Sequence, residues 1–303
     1  MNMNRLLLLL LLPCLLIAGC RQPEQTDSRP LITVTILPYR WFAEQLAGDH
    51  FRINVLVPPG VSHHNYDPSP KQLRELEKSG VLFINGQLGF ELAWLPKLRS
   101  NYKSLMISDL SAGISLLNEE ESGTAHTDSD TGEHGEHGHG GSDPHYWISV
   151  KGAKIFSATM AKALIQADPS CRQLVEGNLV RLLARLDSLD GTLAKKFASL
   201  QHRDFFIFHP ALTYLADEYQ LRQHSMEQAG KEPTASHFRE LVDLASKVRI
   251  NTIFIQREYD QENALTLARE TGSQIVVIDP MSGDWLGEME ALGVKMGEMD
   301  GRK

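Results

Sequence analysis

Two α/β lobes, each with a central, mainly parallel sheet flanked by helices and joined by one long helix, are what this 303-residue sequence predicts. Three observations carry the prediction. Residues 31–167 alternate short β-branched apolar runs with helical periodicity, the pattern of parallel strands covered by helices. Residues 169–200 then hold a single helical stripe with no strand signal. From residue 204 the alternation restarts. The lobes are accordingly placed at 31–167 and 202–303, with the linking helix at 168–201.

The first lobe opens with a strand at 31–37 (LITVTIL), then Pro38 and a helical pattern up to Gly48. A second strand, 52–57 (RINVLV), runs into Pro58-Pro59-Gly60. Ser69 can cap a helix that has Pro70 at its first position and runs to Gly80. VLFIN at 81–85 reads as a strand, Leu88 to Leu98 as a helix and Ser104 to Ile107 as a short strand. An acidic, His-rich loop over 119–143 precedes a helix at 149–167.

Asp168 and Pro169 start the linking helix. Val175, Leu179, Leu182, Leu186, Leu189, Leu193, Phe197 and Leu200 recur in steps of three and four, which places them on one face. A helix of about 30 residues is ~45 Å long, the width of a domain. Gly177 and Gly191 each weaken it by about 1 kcal/mol against Ala, and a break at Gly191 is the alternative. The second lobe then reads as a strand from Asp204 to Phe208, a helix from Ala211 to Tyr219 and a weak strand from Leu221 to Ser225. A helix from Thr234 to Val248, the strand TIFIQ at 252–256 and a helix from Gln261 to Thr271, stopped by Gly272, follow. Gln274 to Ile278 is the last strand, and a final helix follows Trp285.

The N-terminus points to an extracytoplasmic protein. Arg5 precedes an apolar run from Leu6 to Ala18, the length of a signal peptide and too short for a stable membrane anchor. The run ends in Ile17-Ala18-Gly19-Cys20, which resembles a bacterial lipobox. Residues 1–19 would then be a lipoprotein signal peptide, Cys20 the lipidated residue and 20–30 a polar tether. An ordinary signal peptide is the alternative. Cys171 would remain as the sole cysteine, so a core and not disulfides must hold the protein. About 280 residues suffice for that. Without Arg5 the net charge is −9, which argues against nucleic acid as a partner and is compatible with attracting cations.

Histidine is where the chemistry concentrates. Residues 123–141 (GTAHTDSDTGEHGEHGHGG) hold His126, His134, His137 and His139, four of twelve in the chain. Their surroundings cannot bury enough apolar surface to offset ordering, so the tract reads as an unpacked loop. His-rich tracts are a compositional sign of metal handling, or else a plain solvated insertion. Three further segments place a His beside Pro near a strand end: Pro58 to Pro68 with His63 and His64, Asp143-Pro144-His145-Tyr146-Trp147, and Phe208-His209-Pro210. Ligands of open α/β sheets bind at the carboxyl ends of strands.

Gly60 with His64-x-Tyr66-x-Pro68, Asp143-Pro144-His145-x-Trp147, and Phe208-His209 leading to Tyr214 and Tyr219 resemble the motifs of cluster A-I metal-binding proteins. These are the solute-binding components of bacterial zinc and manganese ABC transporters. The resemblance runs from Leu31 to the C-terminus and includes Ile278-Asp279-Pro280. It implies that His64, His145 and His209 ligate the metal. Asp279 would be the fourth ligand, or a carboxylate near a position filled by water. The family usually has Pro before the first His, and here that position is His63, which could swap in or steer the ion's approach. A His-rich loop between the first two ligands is typical of the zinc branch.

Three imidazoles and one oxygen suit tetrahedral Zn(II), whereas manganese prefers more carboxylates. The expectation is a monomeric, membrane-anchored carrier that binds Zn(II) between its lobes and delivers it to an ABC permease. The loop histidines would serve as a low-affinity collector, and the long helix would limit hinge closure. Alternatives are a manganese or broad-specificity carrier, an adhesin of the same fold, or a three-His zinc hydrolase. The hydrolase lacks an HExxH helix or a nucleophile elbow. Asp67 and Glu258 read as surface groups or hydrogen-bond partners of ligating histidines. His50, His202, His224 and His237 read as surface residues, Trp147 as core or cleft wall, and Cys171 as structural.

Overall fold

The computed structural model describes residues 27–64, 66–118, 141–227, 231 and 233–301. The expected signal peptide, Cys20, most of the expected tether and the four histidines His126, His134, His137 and His139 lie outside the described residues. In chain order the elements of the first lobe are β1 (Leu31–Val34), α1 (Leu37–Ala47), β2 (Arg52–Val55), α2 (Pro70–Glu77), β3 (Val81–Ile84), α3 (Gly89–Asn101), β4 (Met106–Asp109) and α4 (Val150–Ala167). The long helix α5 (Arg172–Ala198) follows a 3-10 turn at Pro169–Cys171. The second lobe holds β5 (Asp204–Ile207), α6 (Thr213–Tyr219), β6 (Arg222–Ser225), α7 (Ala235–Val248), β7 (Thr252–Gln256), α8 (Glu262–Thr271), β8 (Gln274–Ile278) and α9 (Trp285–Gly297).

Each lobe is a four-stranded sheet, ordered β2-β1-β3-β4 and β6-β5-β7-β8, and every pairing is parallel. The two orders are equivalent, so the second lobe repeats the topology of the first. In both, the chain reverses direction across the sheet beside the first strand, which opens a crevice at the carboxyl ends.

The element order matches the sequence reading, and the differences are at boundaries. The run 31–37 contains the strand, the turn and the helix start, because Leu37 and Pro38 already open α1. Apolar character continues across that junction since Ile36 is buried and Leu37 half-buried. Strand β4 lies two residues later than expected. It is an edge strand, only partly buried, so Ser108 and Asp109 can occupy it without burying polar side chains. Helix α5 is continuous through Gly177 and Gly191, so the break at Gly191 does not occur. Its 27 residues span about 40 Å at 1.5 Å per residue.

Packing explains that continuity. Val175, Leu182, Leu186, Leu189, Leu193 and Phe197 are buried along one side of α5. Helices α1 and α4 of the first lobe and α9 of the second all pack on it. Leu193 approaches so closely that a Cβ at Gly293 of α9 would collide with its side chain. The burial of six large side chains, at about 1.5–3 kcal/mol each, outweighs the propensity cost of two glycines.

Two histidines expected at the surface are buried. His224 is 7% exposed, with Nε2 2.9 Å from Asp204 Oδ1. His237 is 9% exposed and its Nε2 meets the Ser225 carbonyl at 3.2 Å. Both turn inward onto polar partners of the second lobe, which a hydrophobic pattern does not register. His50 and His202 are partly exposed and pair with Asp168 and Asp300. Trp147 and Cys171 are core residues, as expected.

Candidate metal centre

The first histidine pair sits in the loop after β2. Gln72 of α2 closes the base of that loop: its Nε2 donates to the Leu56 carbonyl at 2.6 Å and to Tyr66 Oη at 2.5 Å. Ser69 and Gln72 also form a reciprocal capping box, which fixes the loop's exit into α2. His63 is thereby held inward at 4% exposure, with its ring centroid 4.1 Å from that of His64. Asp67 is exposed.

His145 lies in the turn before α4. Asp143 Oδ1 accepts from both the His145 backbone N–H and Nδ1, each at 2.8 Å. Asn85, at the end of β3, donates to the Pro144 carbonyl at 2.9 Å, and Tyr146 Oη donates back to the Asn85 carbonyl at 2.6 Å. From the second lobe, Tyr214 Oη donates to the Asp143 carbonyl at 2.7 Å. Glu218 accepts from Ser149 Oγ, Val150 N and Lys151 N at 2.8–3.1 Å, so a carboxylate of one lobe caps a helix of the other. Burial pushes the Glu218 carboxyl above its ordinary value.

His209 follows β5. Gln256, the last residue of β7, grips its backbone: Nε2 donates to the His209 carbonyl at 2.6 Å and Oε1 accepts from its N–H at 3.4 Å. The His209 ring stacks on Tyr259, with centroids 5.5 Å apart and planes inclined by 16°. Its Nδ1 lies 2.6 Å from Glu227 Oε2.

These constraints bring the rings together. His145 Nε2 is 3.2 Å from His209 Nε2 and 3.4 Å from His63 Nε2. Ligand nitrogens of His63, His64 and His145 lie within 4.8 Å of one another, and the rings of His64 and His209 are 4.5 Å apart. His64 Nε2 is buried with no hydrogen-bond partner.

Tautomers follow from the partners. An ionised carboxylate only accepts, so Asp143 and Glu227 assign the proton to Nδ1 of His145 and His209. Both Nε2 atoms then present lone pairs to each other at 3.2 Å, an arrangement that a cation between them relieves. Protonation is not the remedy at neutral pH for the first-lobe rings. Burial first, then neighbouring histidines, holds His64 down to about 2 and His63 well below its ordinary value. Burial also lowers His145, although Asp143 acts the other way. Neutral imidazoles are what a transition metal requires.

Asp279 follows β8, at the same carboxyl end of the second sheet as His209. Its backbone N–H donates to Glu288 Oε1 at 2.9 Å, and its Oδ2 lies 3.8 Å from Arg257 Nε. Glu258 is exposed and lies close enough to both Asp279 and His209 to feel their charges. Of the four residues expected to ligate, the structure thus gathers His64, His145 and His209, adds His63, and sets the Asp279 carboxylate toward a guanidinium. Sequence reasoning missed Glu227, Tyr259 and Gln256. None had a motif: they come from other strands and are near His209 only through the fold. Asp143 was visible as part of Asp143-Pro144-His145, but its bond to Nδ1 was not.

Comparison with known proteins gives the chain's family and fold relatives. The family model described as zinc-uptake complex component A, periplasmic, matches residues 32–292. A protein of Treponema pallidum (strain Nichols), named as metal-binding, is 31% identical over 261 residues, covering 84% of this chain and 80% of that protein. The zinc-binding lipoprotein AdcA of Streptococcus pneumoniae (strain ATCC BAA-255 / R6) is 29% identical over 281 residues; the match covers 91% of this chain but only 54% of AdcA. The crystal structure of a zinc-bound ZnuA deletion mutant superposes with a TM-score of 0.80 at 30% identity, covering 91% of this chain and 99% of that one. Streptococcal lipoproteins named for manganese transport are also among the relatives.

Proposed function

The chain belongs to the zinc-uptake complex component A family, and on that premise we propose that it captures Zn(II) between its lobes and passes it to an ABC permease. It acts as a solute-binding carrier and not as an enzyme. The observation that carries this reading is the 3.2 Å approach of two Nε2 atoms, His145 from the first lobe and His209 from the second. With His64 they form a three-imidazole set that spans the interlobe boundary.

Zinc is favoured over manganese by the donors. The gathered ligands are imidazoles, which suit Zn(II), whereas Mn(II) seeks carboxylate and water oxygens. The carboxylates nearest the rings, Asp143 and Glu227, are spent on Nδ1 atoms. Asp279, the carboxylate expected as fourth ligand, stands at the second-lobe edge with its Oδ2 3.8 Å from Arg257 Nε.

The remaining assignments extend the same reading. Cys20 anchors the protein by a lipid on the outer side of a membrane, residues 20–30 tether it, and the mature chain works as a monomer. His126, His134, His137 and His139 act as a weak collector that raises local zinc near the cleft. Adhesion is a secondary role open to an anchored carrier.

The test is direct titration. Wild-type protein should bind one Zn(II) tightly, with only weaker uptake by the loop histidines, and His145→Ala and His209→Ala should each weaken the tight site by more than ~100-fold, beyond the 10–100-fold typical of losing a partner of a ligand. Unchanged zinc affinity in both variants would remove the site.

A further inference from the structure

We propose that His63 is a fourth zinc ligand, so that the captured ion sits in an all-imidazole tetrahedron and Asp279 stays outside the coordination shell. The inference rests on the reading of His64, His145 and His209 as the capture site and deepens it.

Geometry is the first argument. In a tetrahedron with Zn–N of ~2.0–2.1 Å, the ligand nitrogens are about 3.3–3.4 Å apart. His145 Nε2 stands 3.4 Å from His63 Nε2 and 3.2 Å from His209 Nε2, so two edges with His145 in common already have that length. His64 contributes a buried Nε2 without a partner. His63, His64 and His145 also form the one group of His, Cys, Asp and Glu, among the described residues, whose ligand atoms all lie within 4.8 Å of one another; His209 is outside that group and joins it through the 3.2 Å approach to His145.

Burial is the second. His63 is 4% exposed, more enclosed than a ring that merely guides an ion inward. It is braced by Trp147, whose ring meets its own edge-to-face at 5.5 Å. Trp147 is itself pinned across the lobes by a 2.9 Å bond from Nε1 to the Pro280 carbonyl. The imidazole is thus positioned by packing, as a ligand needs to be.

Charge is the third. Four neutral imidazoles leave the site with the full dication. Asp143 and Glu227, bonded to Nδ1 of His145 and His209, supply two compensating negative charges one ring away. No anionic ligand is then required. Asp279 already has Arg257 within 3.8 Å and is not drawn toward the ion by an unmet charge. Such a shell excludes oxygen donors, so it discriminates against Mn(II) more strongly than three imidazoles and a carboxylate would.

Zinc K-edge absorption on the zinc-loaded, untruncated mature protein tests this. Wild type should fit four imidazoles. His63→Ala and the bulkier His63→Gln should each lose one imidazole from the shell, bind zinc ~10-fold or more weakly and narrow the Zn/Mn affinity ratio. Asp279→Asn should leave shell and affinity within about 2-fold. A wild-type shell of three imidazoles plus a carboxylate that disappears in Asp279→Asn overturns the inference, whatever the folding of the His63 variants. So does an unaltered shell in His63→Gln. If instead His145→Ala and His209→Ala retain the wild-type shell, it is the capture site itself that fails.

Discussion

Glu227 is the residue whose role the fold alone reveals. It accepts from His209 Nδ1 at 2.6 Å and so leaves Nε2 as the ring nitrogen turned toward His145. Asp143 does the same for His145, and its carboxyl is held below its ordinary value: burial alone would raise it, but the bonds to His145 outweigh that. Replacing either carboxylate by its amide removes the compensating charge and lets Nδ1–H face a mixed donor–acceptor group. Glu227→Gln should weaken zinc binding by 10–100-fold in a chelator competition while leaving thermal stability of the metal-free protein nearly unchanged. Affinity within 2-fold of wild type would show that the ring is oriented by Tyr259 and Gln256 instead. At this scale the histidines themselves were legible in the sequence, because each sits in a short Pro-bordered loop after a strand or before a helix. Their partners were not, because Glu227 and Tyr259 are distant in sequence and near only in space.

At the scale of elements, the first turn of α4 does the most for the site. Gly152 lies against the Tyr146 carbonyl, and any Cβ there would collide with that backbone atom. Ser149 Oγ accepts from the Gly152 N–H at 2.9 Å and caps the same turn. The loop carrying His145 is folded back on its own helix, and only a glycine permits the approach. Gly152→Ala should therefore cost about 2 kcal/mol, read as a Tm lower by several degrees, and should also displace His145 and weaken zinc binding. A Tm within 1 °C of wild type would mean that the turn relaxes freely. Strand and helix positions were readable from period and punctuation, since hydrophobic spacing reports them directly. The edges of β1 and β4 were not, because an apolar run can cross from strand to helix and an edge strand tolerates polar residues.

The whole molecule is two repeats of one topology locked on a shared helix. A continuous buried cluster extends from α1 and α4 through α5 to α9. Trp147 donates to the Pro280 carbonyl at 2.9 Å, and Trp285 donates to the Trp147 carbonyl at 2.7 Å, so reciprocal indole bonds tie the lobes beside the metal centre. Lobes joined by a large apolar interface do not swing as independent domains. The radius of gyration in solution should change by less than about 1 Å between metal-free and zinc-loaded protein, within the small shifts of a pre-organised site. A contraction of several ångströms in small-angle scattering would show a clamshell and contradict the rigid linkage. On the proposed function, release should then depend on movement of the loops that carry His63, His64 and His145.

The sequence by itself determined the two-lobe α/β architecture, the single long helix and the three histidine loops, since these are written in local periodicity and in residue types beside strand ends. It also supported membership of a metal-carrier family through short, ordered motifs. Only the tertiary structure decided which nitrogen of His145 and His209 meets a carboxylate, that His63 turns inward beside His145, and that His224 and His237 are buried. The reason is physical: a side chain's tautomer, burial and partners depend on atoms from other strands and the other lobe. Those atoms become neighbours only when the two sheets close on α5.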